Sequence, residues 1–315
     1  MKEHAPSASL FSAVLGVAGL GYAWRNAVPL WPVPPLVGEA ILLLAALIWS
    51  GLLIAYLVHG LRARGHWRAE FSGAVQGSMP ALLGISTLVL VPAALRYSPA
   101  LAWTLALAGI GWNLLFASWH GGSLWRGGRA AADTTPALYL PAVAGNLTSG
   151  AALGLLGQAE WAYLFIGAGL FSWLALEPLI THSVWHRAEL APPQRALLGI
   201  QAAPPVVCAA SLLMIAPDAA ALHAPWLLML WGYGLFQLAQ GLRLYRWLGA
   251  QPFARGHWAY TFGLTSALNC ALKFARAGIA PARALAMPML AAITLFIACL
   301  LLHSARGVWR APAPA

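Results

Sequence analysis

The sequence predicts an all-α polytopic membrane protein, with ten transmembrane helices arranged as five helical hairpins and both termini cytoplasmic. Three observations carry that prediction. The chain of 315 residues is 61% hydrophobic and only 8% charged, where a soluble domain carries about 25% charged residues. Apolar runs near twenty residues, the length needed to cross a hydrocarbon core of about 30 Å, recur ten times. A hairpin-sized unit also repeats about every sixty residues: Pro80-Ala81-Leu82-Leu83-Gly84 is echoed sixty-one positions on by Pro141-Ala142-Val143-Ala144-Gly145, and roughly one period later by Pro204-Pro205. Internal repeats fix architecture, and five similar hairpins in one membrane imply a ring around a shared centre.

The apolar runs fall at 10–26, 37–58, 77–95, 99–120, 136–156, 160–181, 195–216, 224–243, 257–275 and 285–305. They pair into hairpins at 10–58, 77–120, 136–181, 195–243 and 257–305, so residues 1–315 read as one membrane domain. All ten are predicted as helices, because an open strand edge leaves backbone groups unsatisfied in lipid. Met1 to Ser9 has Lys2 as its one basic residue and is followed by no good cleavage site, so the first run is read as a retained helix and not a signal peptide.

Within each hairpin the leading helix is the unusual one. The cores of the leading helices contain no Asp, Glu, Lys or Arg; they carry small residues, hydroxyls and breakers instead. Gly16, Gly19 and Gly21 mark the first, Pro80, Gly84 and Ser86 the second, and Pro141, Gly145, Asn146 and Ser149 the third. The fourth has Gln201, Pro204 and Pro205, and the fifth Gly263, Ser266 and Asn269. Small residues let helices approach closely, which is one reading of the pattern. Proline at matching places in three repeats supports another, because proline removes a helical hydrogen bond, and freed backbone at membrane depth is tolerated where it lines a cavity. On that reading the leading helices line a pore, with Gly16, Pro80, Gly84, Pro141, Gly145, Asn146, Pro204, Gly263 and Ser266 as lining candidates. The bulky trailing helices then form an outer ring facing lipid.

The net charge of +10 does not indicate a nucleic-acid binder, because the cations sit in alternate short loops. With both termini inside, thirteen of them are cytoplasmic: Lys2, Arg62, Arg64, Arg68, Arg126, Arg129, Arg187, Arg195, Arg243, Arg246, Arg255, Arg306 and Arg310. Arg25, Arg96, Lys273, Arg276 and Arg283 are left outside, the asymmetry of the positive-inside rule. The last three form a basic outer stretch that runs against it, either a cationic vestibule or a solvated loop. A pathway without formal charge argues against a proton-coupled pump, which places carboxylates and histidines in its relay. It fits a channel or low-affinity carrier that selects through backbone dipoles and constriction, and the absence of acidic rings favours an anion.

Several segments are more specific: Phe11-Ser12-Ala13-Val14-Leu15-Gly16, Gly19-Leu20-Gly21-Tyr22-Ala23-Trp24-Arg25, Leu124-Trp125-Arg126-Gly127 and Thr134-Thr135-Pro136-Ala137-Leu138-Tyr139-Leu140-Pro141. With them stand Gly169-Leu170-Phe171-Ser172-Trp173-Leu174-Ala175-Leu176-Glu177-Pro178, Gly199-Ile200-Gln201 and Gly232-Tyr233-Gly234-Leu235-Phe236-Gln237-Leu238. In these the chain resembles the tellurite-resistance/dicarboxylate transporter family, which includes the slow anion channels of plant guard cells. The resemblance implies a homotrimer in the inner (plasma) membrane, each protomer holding its own pore among five kinked helices in quasi-fivefold arrangement. It also implies a gate at Phe262, within Trp258-Ala259-Tyr260-Thr261-Phe262-Gly263. Chloride, nitrate or oxyanions are the expected substrates, with a link to tellurite resistance. A secondary transporter of C4-dicarboxylates, sulfite or similar oxyanions is the alternative, and a membrane scaffold without a transport role is a third reading. The chain departs from the family pattern at Gly145, where a second Asn is expected beside Asn146, and in the basic Lys273 to Arg283 stretch.

Glu177 is the one acid placed well inside an apolar run, and an intramembrane acid is a functional candidate by default. On a trailing helix beside Pro178 it reads mainly as a structural residue, paired with a loop Arg or a neighbouring Tyr; gating or a protomer contact is the other reading. His182 and His186 share a helix face but have no third ligand nearby, so no metal is expected. Cys208, Cys270 and Cys299 lie in apolar helices and read as buried thiols. No phosphate loop, nucleophile elbow or zinc motif points to an enzyme or a cofactor.

Overall fold

A computed structural model shows an all-helical chain and describes residues 6–186, 190, 192–215, 223–250, 253 and 255–309, with no strand among them. Each predicted run holds a helix: α1 (Ser12–Ala27), α2 (Pro35–Arg62), α3 (Ala81–Val89), α4 (Pro99–Trp125), α5 (Gly145–Leu155), α6 (Ala159–His186), α7 (Ala203–Ile215), α8 (Pro225–Arg243), α9 (Ala259–Arg276) and α10 (Ala280–Trp309). The inner charges expected at Lys2, Arg187 and Arg310 lie outside the described residues.

The two members of a hairpin differ in what they bury. Ten of the 16 residues of α1 are buried, against four of 28 in α2. Among the described residues, α2, α4, α6 and the Ala280–Arg306 part of α10 are long and apolar enough to cross a membrane, and at most 28% of each one's most apolar window is buried. Such outward apolar surface is what a lipid solvent accepts and water does not. The leading helices are shorter and interrupted. Among the described residues α1 packs against α3 and α9, α7 against α5 and α9, and α3 against α5, so their contacts form a closed circuit. Each trailing helix packs on its own leading partner.

Proline explains the interruptions. The α3 segment stops at Val89 and resumes as Val91–Leu95 around Pro92. A π-helical turn, Leu140–Ala144, holds Pro141 ahead of α5, and a short helix, Leu198–Gln201, breaks at Ala202 before Pro204 and Pro205. Proline removes one N–H and crowds the carbonyl four residues back, so these stretches need partners from elsewhere. Tyr22 of α1 supplies one: its hydroxyl donates to Val89 O at 2.7 Å and accepts from Ala93 N at 3.0 Å. A side chain is thereby inserted into the helical ladder at the kink.

The circuit closes where α1 meets α9, the first and last leading helices. A methyl group on Gly16 would lie 2.2 Å from Thr261 Oγ1, and one on Gly19 would lie 2.2 Å from Thr265 Oγ1. Asn269 Nδ2 donates to Gly19 O at 2.9 Å, and its Oδ1 accepts from Asn26 Nδ2 at 2.8 Å. The basic Lys273 to Arg283 stretch is mostly helical here: Lys273 and Arg276 belong to the last turn of α9 and Arg283 to the start of α10. Gly278, at φ +92°, makes the turn between them, with Gly278 N bonded to Ala275 O and Ile279 N to Phe274 O, both at 3.0 Å. This paired bonding is a glycine cap that ends a helix within a few residues.

The α1–α9 contact yields a direct test. Gly16→Ala is expected to destabilise the protein by about 1–3 kcal/mol through overpacking, seen as a lower unfolding midpoint in detergent. Adding Thr261→Gly should recover part of the loss. A Gly16→Ala protein that melts with the parent would show that the seam tolerates a methyl.

Candidate functional site

A cavity of about 250 Å³ lies among the leading helices. Every one of the five contributes to its wall: Ser12 and Leu15 from α1, Leu82 from α3, Leu147 from α5, Ala203, Pro204 and Val207 from α7, and Ala259 and Phe262 from α9. Residues of the turns entering these helices complete it, among them Ser9, Gln76, Tyr139, Ile200 and Trp258. Among the described residues, no Asp, Glu, Lys or Arg lines it. The wall is thus apolar, with Ser9, Ser12 and Gln76 as its polar side chains besides Tyr139.

Two of the sequence-predicted residues, Phe262 and Pro204, stand in that wall. Five of the others stand at helix contacts: Gly16, Pro80, Gly84, Gly145 and Gly263. Gly16 faces Thr261, Gly84 faces Asn113 and Trp112, Gly145 also faces Asn113, and Gly263 approaches the backbone of Ala202 and Ala203. The last contact brings α9 against α7 one residue from Phe262. Pro80 offers its carbonyl to Trp112 Nε1 at 2.8 Å, and Asn146 Nδ2 donates to Ala142 O at 2.7 Å. Pro141 and Ser266 are buried in the π-helical turn and in α9.

Glu177 of α6 lies outside the cavity wall but holds part of it. Its carboxylate accepts from Trp173 Nε1 at 2.8 Å, Gln201 Nε2 at 2.9 Å, Tyr233 Oη at 3.0 Å, Gln237 Nε2 at 3.3 Å, and the Tyr139 hydroxyl. All five donors are uncharged. They come from α6 itself, the entries of α5 and α7, and α8, so one carboxylate joins the third hairpin to the fourth. Ionised carboxylates accept strongly at both oxygens, and several neutral donors can replace water around one.

Two further groups were not singled out by sequence reasoning. Glu70, in the short helix His66–Phe71 between the first two hairpins, is only 2% exposed. It accepts from Ser7 Oγ, Ala8 N and Tyr56 Oη, each at 2.8 Å. The Ala8 N–H opens a single 3-10 turn, Ala8–Phe11, whose N-terminal end a negative charge suits. Glu70 therefore pins the segment that carries Ser9 and Ser12 into the cavity wall. Asn113 of α4 donates to Gly145 O at 3.2 Å, tying the second hairpin to the third. An Asn in an apolar run was the available signal for the second; for Glu70, in a charged linker, there was none. At the other end of the bundle, Glu39 accepts from Arg25 Nε at 2.8 Å, Arg96 Nη1 at 3.0 Å and Tyr97 Oη at 2.6 Å. Two of the expected outer cations are thus ion-paired.

The chain matches known proteins along most of its length. The family model described as voltage-dependent anion channel, SLAC1, matches residues 6–305. The tellurite resistance protein TehA homolog of Haemophilus influenzae is 35% identical over 268 residues, which cover 84% of this chain and 80% of that protein.

The Glu70 anchor can be tested by exchange. Glu70→Ala leaves a buried N–H and two hydroxyls without their acceptor, at a cost of about 1–3 kcal/mol. Hydrogen–deuterium exchange should then accelerate across residues 7–12 while α5 and α7 stay protected. Unchanged protection of 7–12 would mean that other contacts hold the segment.

Proposed function

Because the chain belongs to the voltage-dependent anion channel family, SLAC1, a family of membrane anion channels and transporters, we propose that it conducts small anions through the cavity, with Phe262 as the gate. The observation that carries this reading is an uncharged cavity to which all five leading helices contribute and whose wall includes Phe262. The closed circuit of contacts among those helices supports a quasi-fivefold arrangement around one central path. Ten spans in the inner membrane, with both termini cytoplasmic and three protomers each holding its own pore, complete the proposal.

The physical logic rests on dipoles and wetting. The lining residues lie toward the N-terminal ends of the leading helices or in the turns before them. Helix N-termini carry partial positive charge and suit anions, and no acidic side chain in the wall opposes them. An apolar constriction closed by an aromatic ring excludes water, and with it ions. Selection then falls on weakly hydrated anions such as chloride or nitrate, which shed water at lower cost than doubly charged oxyanions. A role in tellurite resistance, as the relative's name describes, would be passage of the corresponding oxyanion by the same path.

Phe262→Ala is expected to raise anion conductance in planar bilayers about tenfold, equivalent to removing about 1.4 kcal/mol of barrier. The reversal potential should follow the chloride or nitrate gradient. An unchanged conductance in a folded variant sinks the gate assignment. A flux that saturates and requires a proton gradient would instead identify a carrier.

A further inference from the structure

The Glu177 cluster is more elaborate than a structural acid requires. Two of its five donors belong to the turns that lead into α5 and α7, where proline has removed helical hydrogen bonds. Tyr139 sits two residues before Pro141 and lines the cavity with its ring, yet its hydroxyl is bonded to Glu177, which does not line it. Gln201 sits at the break before Pro204 and Pro205; its Nε2 donates to both Glu177 and the Tyr139 hydroxyl, the latter at 3.2 Å. The Gln201 Oε1 has no hydrogen-bond partner among the described residues. From the lipid side, Tyr233 and Gln237 complete the shell, with Gln237 also donating to Tyr233 Oη at 3.0 Å.

We propose that Glu177 is a positioning residue for the cavity: by holding the Tyr139 hydroxyl and the Gln201 amide it fixes the proline-interrupted entries of α5 and α7 and keeps that part of the wall apolar. The reasoning is one of supply and demand for acceptors. A carboxylate accepts at both oxygens and donates nothing, so donors that could otherwise hydrate the cavity are committed to its outer side. In a low dielectric these bonds to a carboxylate are strong, so losing either the acceptor or the Tyr139 hydroxyl releases the entry of α5 and lets water reach the part of the wall it forms. Glu177→Gln keeps the volume but presents an amide that donates as well as accepts, so it cannot satisfy the same five donors. Tyr139→Phe keeps the ring and removes only the hydroxyl.

The inference rests on the reading of the cavity as the ion path for its effect on conduction, so the deciding measurement does not depend on current. Ser12→Cys places a thiol in the cavity wall; Cys299, expected to be buried, is exposed, whereas Cys208 and Cys270 are buried, so with Cys299 replaced by Ser the rate of modification by an anionic methanethiosulfonate reports water in the cavity. Glu177→Gln and Tyr139→Phe are each expected to raise that rate at least about threefold, and the pair together little more than either alone, as coupled neighbours do. Folded variants that label at the parent's rate overturn the proposal, as do two effects that simply multiply. If Glu177→Gln fails to fold, the Tyr139→Phe rate decides. Lowered stability with unchanged labelling identifies Glu177 as purely structural. Should the labelling change as expected in a protein that passes no anion current, the positioning role stands and the conduction reading falls.

Discussion

A backbone that leaves the helical ladder inside a membrane must find its hydrogen bonds somewhere other than in lipid, and part of the polar architecture of this protein answers that demand. The leading helices are broken by Pro92, Pro141 and the Pro204-Pro205 pair; Tyr22 bonds the backbone at the first break, and Glu177 holds the Tyr139 and Gln201 side chains beside the other two. None of these belongs to the helix it serves. The breaks shape the space between the leading helices, while the helices beside them supply the missing partners. A wall with no formal charge is compatible with three buried or part-buried carboxylates, because Glu39, Glu70 and Glu177 all lie outside it, at junctions between hairpins.

Glycine at the contacts plays a complementary part. Gly16 and Gly19 admit Thr261 and Thr265 so closely that a methyl group has no room. In lipid, where apolar surface gains little by leaving its surroundings, such close packing is itself a main source of association. The same small residues that suggested a pore in the sequence therefore set how tightly the leading helices meet. Close packing and cavity formation are two sides of one geometry: helices that touch at Gly16 and Gly263 leave a space where Leu15 and Phe262 face inward.

Much of this was legible in the sequence because periodic apolar runs and repeated prolines are local signals. The helices fall where hydropathy put them, and Phe262 and Pro204 do stand in the cavity wall. The rest depended on distance in space. Glu70 looked like one more charge in a basic linker, and only the fold shows Ser7, Ala8 and Tyr56 gathered around it. Glu177 was recognised as unusual, but its donors come from residues 139 to 237, a span no local pattern reports. The Lys273 to Arg283 stretch reads in sequence as a cationic vestibule or a solvated loop at the end of the ninth run; the alanines around Lys273 and Arg276 are helix formers, and Gly278 does the terminating. Gly84 and Gly145, lining candidates from the repeat, both stand beside Asn113, a neighbour from another helix that the repeat does not report.

The insertion of the Tyr22 hydroxyl into α3 has a consequence for how the protein comes into being. The bend at Leu90 is set jointly by Pro92 and by a residue in the preceding hairpin, so α3 reaches its final shape only against α1. A ribosome delivers α1 first, and the template therefore precedes the helix it bends. The α1–α9 seam has the opposite order: Gly16 and Gly19 wait through the synthesis of three further hairpins for Thr261 and Thr265. Assembly thus runs from a guided beginning to a late closure, and the nascent chain must shelter an unfilled glycine groove until its last hairpin emerges.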